Sequence, residues 1–178
     1  TQKFFFTSAM IMRMEKIRLS KLMSEQGLCS RREADRFIEL GWVFVDGEKI
    51  SELGTKIHPS QKITLNKAAQ SEQTQWVTIL LNKPIGYVSG QPEPGYEPAI
   101  VLIKPENQFA SNATTKRFQR AHLKNLVPAG RLDIDSQGLL VLTQDGRIAK
   151  QLIGDRSKIE KEYLVRVEGS LPAAKLAL

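Results

Sequence analysis

The sequence is short of the residues that metal sites and disulfides need. Its 178 residues include one cysteine, Cys29, and two histidines, His58 and His122. A single cysteine cannot form an intrachain disulfide, and this set falls short of the four Cys or His ligands of a structural zinc site. We therefore expect no metal and a reducing compartment, the cytoplasm.

Long hydrophobic runs are also lacking. The opening residues 1–14 contain three consecutive phenylalanines at residues 4–6, but Thr7 and Ser8 interrupt this run. No stretch approaches the roughly 20 apolar residues that a membrane-spanning helix needs. We expect no membrane segment, and we interpret residues 1–14 as a disordered leader.

Positive charge is the most distinctive feature of the composition. The chain has 26 Lys and Arg against 19 Asp and Glu, a net charge of +7. Such an excess favours a polyanionic partner, nucleic acid before membrane, although a basic surface without a partner is the alternative. The length fits two unequal units.

The first unit, residues 15–66, has the pattern of two helices and a small sheet. Apolar residues recur at helical spacing from residue 16 until Gly27, a glycine typical of a left-handed C-terminal cap. Ser30 and Glu33 then match a capping box that opens a second helix. The turn pair Asp46-Gly47 predicts a β-hairpin, and a further strand over 62–65 ends the unit.

Basic side chains on the two helices are candidates for RNA contacts, because their spacing allows them to share one surface. These are Arg18, Lys21, Arg31, Arg32 and Arg36. The alternative is a solvated helical face that neighbouring acids neutralise. The motifs Gly27–Ala34, Ile38–Gly41 and Val43–Gly47, in this order, resemble the S-four-type (alpha-L) RNA-binding domain, and this resemblance implies that the helix pair presents its cations to structured RNA.

A polar segment without apolar periodicity, residues 67–75, is predicted to be a linker. It leads into a second unit, residues 76–178. There the pattern predicts a strand over Trp76–Leu81, a short helix over Arg147–Ile153 and a further strand over Glu162–Val167.

One loop of the second unit is basic without neighbouring acids. Between residues 104 and 125 it holds Lys116, Arg117, Arg120 and Lys124. Four cations so close together could follow an RNA backbone. A solvated loop without a partner explains them equally well.

The stretch from Gly130 to Gly146 concentrates charge at the start of an apolar strand. Arg131, Asp133 and Asp135 alternate with apolar residues, so an extended backbone would place the three charges on one face. A charged cluster beside an apolar run indicates a site.

Three interpretations of this stretch follow from its residues alone. Asp133, Asp135 and Gly138 match three positions of an EF-hand calcium loop, but Gln144 stands where a bidentate glutamate is required. Asp133 and Asp135 could also form the carboxylate pair of a hydrolase, although no further general acid is evident. The third reading is structural, with both carboxylates bonding within a turn.

Three motifs follow the alpha-L pattern in order: Asn82–Gly86, Gly130–Leu140 and Lys161–Tyr163. Together they resemble the Rsu- and Rlu-type ribosomal RNA pseudouridine synthases, nearest to members that modify large-subunit RNA. The resemblance implies an α+β fold in which the alpha-L domain precedes part of a mixed, antiparallel-sheet catalytic domain. It also implies isomerisation of uridine to pseudouridine in ribosomal RNA, with no metal and no cofactor.

The resemblance implies a role for several residues of the second unit. Asp133 would attack the target nucleoside so that uracil detaches, rotates and rejoins the ribose through carbon. The target nucleotide must be flipped out of its stack, Arg131 would fill the vacated space, and Tyr163 would pack on the flipped base. Asp135, with Ser136, would cap the turn that directs Asp133 outward, whereas Lys83 would either support that turn or contact RNA.

The family's catalytic domain continues beyond this sequence, including an arginine that pairs with the catalytic aspartate. We therefore expect these 178 residues alone to be an inactive fragment and a monomer, with ribosomal RNA as the partner. A non-catalytic RNA-binding or ribosome-assembly module, acting through the alpha-L domain, is the alternative function.

Overall fold

The computed structural model describes residues 15–109 and 116–169. The predicted leader over 1–14 lies outside these ranges. The fold is α+β, as predicted, with short helices and small sheets that are antiparallel except for one two-stranded pair. None of the described helices has the length and apolar character to cross a membrane.

The first unit contains two helices and two small antiparallel sheets. β1 pairs with β4, and β2 lies between β3 and β5. The elements are β1 (Ile17–Arg18), α1 (Leu19–Glu25), α2 (Arg31–Glu39), β2 (Val43–Val45), β3 (Glu48–Ile50), β4 (Lys56–Ile57) and β5 (Ile63–Leu65).

Local signals account for most of these boundaries. Ser30 and Glu33 form the predicted capping box, in which Ser30 Oγ accepts from Glu33 N at 3.3 Å and Glu33 Oε2 accepts from Ser30 N at 2.6 Å. Asp46 and Gly47 have φ of 51° and 91°, the two positive values that a tight type I′ hairpin turn requires. Helix α1 begins at Leu19, later than predicted, because the two preceding residues pair with β4.

The segment predicted as a linker folds as a third helix, α3 (Lys67–Gln75). Asn66 caps it, with Oδ1 accepting from Ala69 N at 2.9 Å. Ala69 is the helix's one buried residue, so the sequence carries no apolar periodicity that could have revealed it. Trp76, directly after the helix, stacks on Phe37 at 6.5 Å between ring centroids, and α3 is thereby packed on the first unit.

The second unit is built on a three-stranded antiparallel sheet of order β6-β10-β9. Lys83 stands opposite Gly138 at one end of the β6–β10 pair, and Thr78 stands opposite Thr143 at the other. The elements are β6 (Thr78–Lys83), β9 (Val127–Pro128), β10 (Gly138–Thr143), the parallel pair β7 (Tyr87–Val88) and β8 (Glu97–Pro98), α4 (Gly146–Ile153), and 3-10 turns over Ala99–Leu102, Pro105–Asn107 and Arg120–Leu123.

The two faces of this sheet differ in burial. Leu140 and Leu142 are buried in a core that also contains Ala99 and Leu126. Leu80 and Leu139, by contrast, are 68% and 66% exposed. The apolar run of β10 therefore covers a core on one face only.

The strand predicted over Glu162–Val167 does not form. Tyr163, Leu164 and Val165 are exposed, and the segment pairs with no described strand. An extended segment becomes a strand only when a neighbour satisfies its backbone groups, and the pattern of residues cannot supply that neighbour.

Candidate active-site loop

The charged stretch forms a loop between β9 and β10, here called the Asp133 loop (residues 130–137). Gly130 begins it with φ of 117° and Gly138 follows it with φ of 142°. Both values lie where L side chains are strained. Within the loop Arg131, Asp133 and Asp135 are exposed and the apolar residues between them are half-buried, the alternation that the sequence predicts.

Ser89 fixes the loop from the side. Its hydroxyl accepts from Leu132 N at 2.8 Å and donates to Leu132 O at 2.7 Å. Ser89 is 4% exposed, so water does not compete for these bonds. Gly86 N donates to Ile134 O at 2.9 Å. The residues on both sides of Asp133 are thus held by their main chain.

Lys83 contacts the same loop from the protein interior. Its side chain is fully buried, and Nζ donates to the carbonyl oxygens of Pro84 and Tyr87 at 2.9 Å and of Ile134 at 3.5 Å. The ammonium is therefore a support for the turn, and its burial leaves it no surface for RNA.

Electrostatics at Lys83 reflect this position. Burial lowers the pKa of Lys83 below its ordinary value, while the nearby charges of Asp133 and Asp135 act in the opposite direction. A charged donor inside the turn is costly, and the carbonyls around it offset part of that cost.

Asp135 and Ser136 do not have the capping role expected of them. Among the described residues, neither side chain forms a hydrogen bond in the turn; the turn closes instead through the main chain, with Ser136 N donating to Asp133 O at 3.1 Å. The bonds from Ser89 and Gly86 make side-chain caps unnecessary. Asp135 is an exposed carboxylate beside Asp133.

Arg131 projects from the loop with its side chain 80% exposed and a long ion pair, 3.9 Å from Nη2 to Glu93 Oε1. Tyr163, the other residue expected beside the target base, is 61% exposed. In the described part of the chain no hydrogen bond or ring contact joins Tyr163 to the Asp133 loop. Arg131 and Asp133 are therefore both exposed on the same loop, whereas Tyr163 makes no contact with it among the described residues.

The candidate cations of the first unit fall into two groups. Arg31 and Arg32 are exposed and have no side-chain partner within 15–109 and 116–169. Arg18 lies 3.5 Å from Asp35, and Lys21 lies 3.8 Å from Glu25. These last pairs are exposed and therefore weak, so both cations are available to a stronger anion.

Arg36 has a structural role that the spacing did not reveal. Its guanidinium pairs with Glu72 of α3 and lies over the rings of Phe37 and Trp42 at 5.2 and 5.9 Å. It fastens α3 to α2, and this engagement argues against a primary role in RNA contact.

The basic loop lies at the opposite end of β10 from Asp133. Gln144 Nε2 donates to Ala121 O at 3.2 Å and Lys124 O at 2.7 Å, and its Oε1 accepts from Val77 N at 2.9 Å. Lys116 Nζ donates to main-chain oxygens at the end of α3. Residues 110–115 of this loop lie outside the described ranges.

Sequence reasoning missed Ser89, Gly86 and Gln144 as site-forming residues. Each acts on main-chain atoms 20 or more residues away, and such contacts leave no local pattern. No group of three or more His, Cys, Asp or Glu side chains in the described ranges could hold a metal ion.

Each of the two units of the chain matches a known protein family. Residues 77–177 match the family model described as RNA pseudouridylate synthase, and residues 17–63 match the S4 domain. The chain belongs to the RNA pseudouridylate synthase family, which confirms the resemblance found in the motifs.

Individual relatives agree with this. The dual-specificity RNA pseudouridine synthase RluF of Escherichia coli (strain K12) is 39% identical over 154 residues, covering 85% of this chain and 47% of the relative. An uncharacterized RNA pseudouridine synthase of Aquifex aeolicus (strain VF5) is 35% identical over 162 residues, covering 89% and 58%. A solved structure described as pseudouridylate synthase aligns with 76% of this chain and 51% of its own at 23% identity and a TM-score of 0.35. The chain spans about half the length of the curated relatives it matches.

Proposed function

We propose that this chain carries the catalytic loop of a ribosomal RNA pseudouridine synthase, with Asp133 as the nucleophile. One observation carries the proposal: an exposed carboxylate stands on a loop whose main chain is held on both sides of it, by Ser89 at Leu132 and by Gly86 at Ile134. A nucleophile needs this combination of access and fixed position.

The reaction needs no redox partner, and we propose that no metal or cofactor takes part. The Asp133 carboxylate bonds to C1′ as the N1–C1′ bond breaks, and the detached uracil rotates. C5 then bonds to C1′ as the carboxylate–C1′ bond breaks, which returns Asp133 to its free form. The proton lost from C5 is balanced by one gained at N1. Because a stacked base is inaccessible, the nucleotide must first be flipped out at a cost of about a few kcal/mol.

Arg131 is positioned to help with flipping. Its extended, mostly exposed side chain lies two residues from Asp133, and a planar guanidinium can stack where a base has left. Tyr163 stays a prediction from the motif alone, as does the preference for large-subunit RNA.

Asp133→Asn tests the nucleophile, because it keeps the size of the side chain and removes its charge. We expect pseudouridine formation in ribosomal RNA by the whole protein to fall by roughly 10³-fold or more, a loss on the scale seen when a catalytic nucleophile is removed. Tritium release from RNA labelled at uracil C5 measures the reaction. Asp135→Asn is the matched control, since Asp135 is equally exposed and makes no bond in the turn, and we expect it to retain activity within a few-fold.

An RNA-binding module without catalysis is the second candidate, favoured by the exposed, unpartnered Arg31 and Arg32 in the described part of α2. If the whole protein binds ribosomal RNA and Asp133→Ala changes nothing that can be measured, this second function replaces the first. For the 178 residues alone we propose RNA binding without turnover, since among described side chains none of the Arg or Lys groups forms an ion pair with Asp133.

A further inference from the structure

Helix α4 is fastened to the first unit through one shared carboxylate. Glu33 Oε2 accepts from Ser30 N at 2.6 Å and caps α2, while Glu33 Oε1 accepts from Gly146 N at 3.3 Å, the first residue of α4. Glu33 therefore serves the N-termini of two helices that belong to different units. Both helix ends favour negative charge, so the arrangement is electrostatically consistent.

Two further contacts support the same junction, the second through Trp76, whose ring stacks on Phe37 of the first unit. Lys150 Nζ donates to Ser24 O at 3.0 Å. The guanidinium of Arg147 lies 5.9 Å from the ring of Trp76 and is oriented by Asp145, whose carboxylate accepts from Arg147 at 2.6 to 3.1 Å. The junction thus contains a shared carboxylate, a lysine bond and a cation over a ring.

Gly146 is needed at this junction because of its neighbour. A Cβ at this position would lie 2.4 Å from Ser30 Cβ and 2.8 Å from Ser30 Oγ. Its φ is outside the left-handed region, so the backbone itself would accept alanine. The close approach of the two units therefore depends on the absence of a side chain at Gly146.

Cys29 lies at the same junction and can serve as a chemical probe of it. A crevice of about 200 Å³ at the junction is lined by residues of both units, including Cys29, Gly146 and Arg147. Cys29 is 1% exposed and is the chain's single cysteine. A thiol reagent that reacts with this protein therefore reports the opening of one known position.

The junction lies far from Asp133. Helix α4 follows the C-terminal end of β10, and the Asp133 loop precedes the N-terminal end. Six residues of strand separate them by about 20 Å at roughly 3.3 Å per residue. Anything fixed to α4 is held at that distance from the reacting carboxylate.

Exposed cations flank the junction on both units. Arg31 and Arg32 directly follow Ser30, and the basic loop is bonded to Gln144, which precedes Asp145. Neither those two residues nor Arg117, Arg120 and Lys124 have a side-chain partner in the ranges that the structure describes, and all five are exposed. Together they are here called the junction cations.

We propose that Ser30, Glu33 and Gly146 lock the first unit onto α4, and that this lock holds the junction cations as one surface for a second segment of RNA backbone. The target nucleotide at Asp133 and that second segment are then read at a fixed spacing. The inference rests on the proposed function for its RNA arm and stands independently for the lock itself.

A pair of substitutions tests the lock without RNA. Gly146→Ala introduces the clash with Ser30, whereas Ser30→Gly removes the two atoms that the new methyl would clash with and leaves Glu33 Oε2 at an ordinary contact distance of 3.5 Å. Glycine also remains an acceptable N-cap, at a cost of a few tenths of a kcal/mol. We expect Gly146→Ala to raise the rate at which Cys29 reacts with an aromatic disulfide reagent by roughly tenfold or more, as for a buried group that becomes accessible by local opening. The double variant Ser30→Gly/Gly146→Ala should return to the rate of Ser30→Gly alone.

Circular dichroism and thermal unfolding of each variant separate opening of the junction from loss of the fold. An unchanged thiol rate in a folded Gly146→Ala overturns the lock. So does a double variant that reacts as fast as Gly146→Ala.

The RNA arm compares a short hairpin containing the target uridine with a longer one that extends along the duplex. For the whole protein we expect Gly146→Ala to abolish the preference for the longer hairpin while leaving turnover of the short hairpin unchanged. Arg31→Ala and Arg120→Ala should each lower the slope of log affinity against log salt for the longer hairpin by about 1, the value for one lost phosphate contact.

The outcomes separate the two proposals. If the wild-type protein isomerises neither RNA, the proposed function fails and the thiol rates still judge the lock. If Gly146→Ala opens the junction and the preference for the longer hairpin persists, the fixed spacing is wrong.

Discussion

Lys83 has a fully buried side chain, whereas lysine side chains are usually exposed to solvent. Its lowered pKa means that, over the range between this pKa and the ordinary value of 10.5, the unfolded chain binds more protons than the folded one. Stability therefore rises with pH across this window. Lys83→Met should lose this increment, and urea unfolding of both proteins at a series of alkaline pH values measures the difference. Equal pH slopes would show that the ammonium is not desolvated.

Ser89 holds the Asp133 loop through two hydrogen bonds from one small side chain. Ser89→Ala removes both bonds to Leu132 and leaves a peptide N–H and C=O without partners, a loss of about 1 to 3 kcal/mol. Chemical unfolding measures the stability, and pseudouridine formation by the whole protein should fall more than RNA affinity does, because Asp133 loses its position. Ser136→Ala is the control, since that hydroxyl makes no bond in the described turn, and we expect a change within about 0.5 kcal/mol. Equal losses for the two would refute the assignment.

Helix α3 depends on one small residue. Ala69 is fully buried against the first unit, whereas Ala68 next to it is exposed. Ala69→Leu should overpack the interface and cost about 1 to 3 kcal/mol. Ala68→Leu adds the same atoms in solvent and should change the unfolding free energy by less than about 0.5 kcal/mol. Thermal denaturation of the pair decides whether α3 is packed or merely tethered.

Elements with strong local signals could be predicted, and those defined by distant partners could not. The capping box at Ser30 and the Asp46-Gly47 turn are encoded within four residues, and both were correct. Helix α3 was missed because a single buried alanine makes no periodic pattern. The strand over Glu162–Val167 was wrong because alternation of residues does not supply a paired neighbour.

The same distinction holds for the candidate site. Alternating charge in residues 131–135 predicted which side chains reach solvent, because alternation is a local property of extended backbone. The sequence predicts that Asp135 and Ser136 support Asp133 and leaves Lys83 between support and RNA contact. In the structure Lys83 does bond to Ile134 O, but the other bonds come from Ser89 and Gly86, more than 40 residues earlier. Sequence therefore indicated which carboxylates of the loop are exposed, and the structure was needed to find the bonds from Ser89 and Gly86.

At the scale of the whole molecule, the sheet exposes two leucines, Leu80 and Leu139, on one face. Leu80 of β6 is paired with Val141 of β10. Leu139 precedes Val141 by two residues and therefore lies on the same face of the sheet. Contiguous exposed apolar area of this kind binds hydrophobic dyes and favours association. Leu80→Lys with Leu139→Glu should lower dye fluorescence and self-association, measured by sedimentation, with little change in unfolding midpoint. Unchanged dye binding would place the apolar surface elsewhere.

The bonds that hold the Asp133 loop all originate in one short segment, residues 83–89, which carries Lys83, Gly86 and Ser89. Asp133 is therefore tied by hydrogen bonds to that segment as well as joined by the chain to its own strand. An inhibitor need not reach the carboxylate: a compound that displaces residues 83–89 by a fraction of an ångström would misalign Asp133 from a distance.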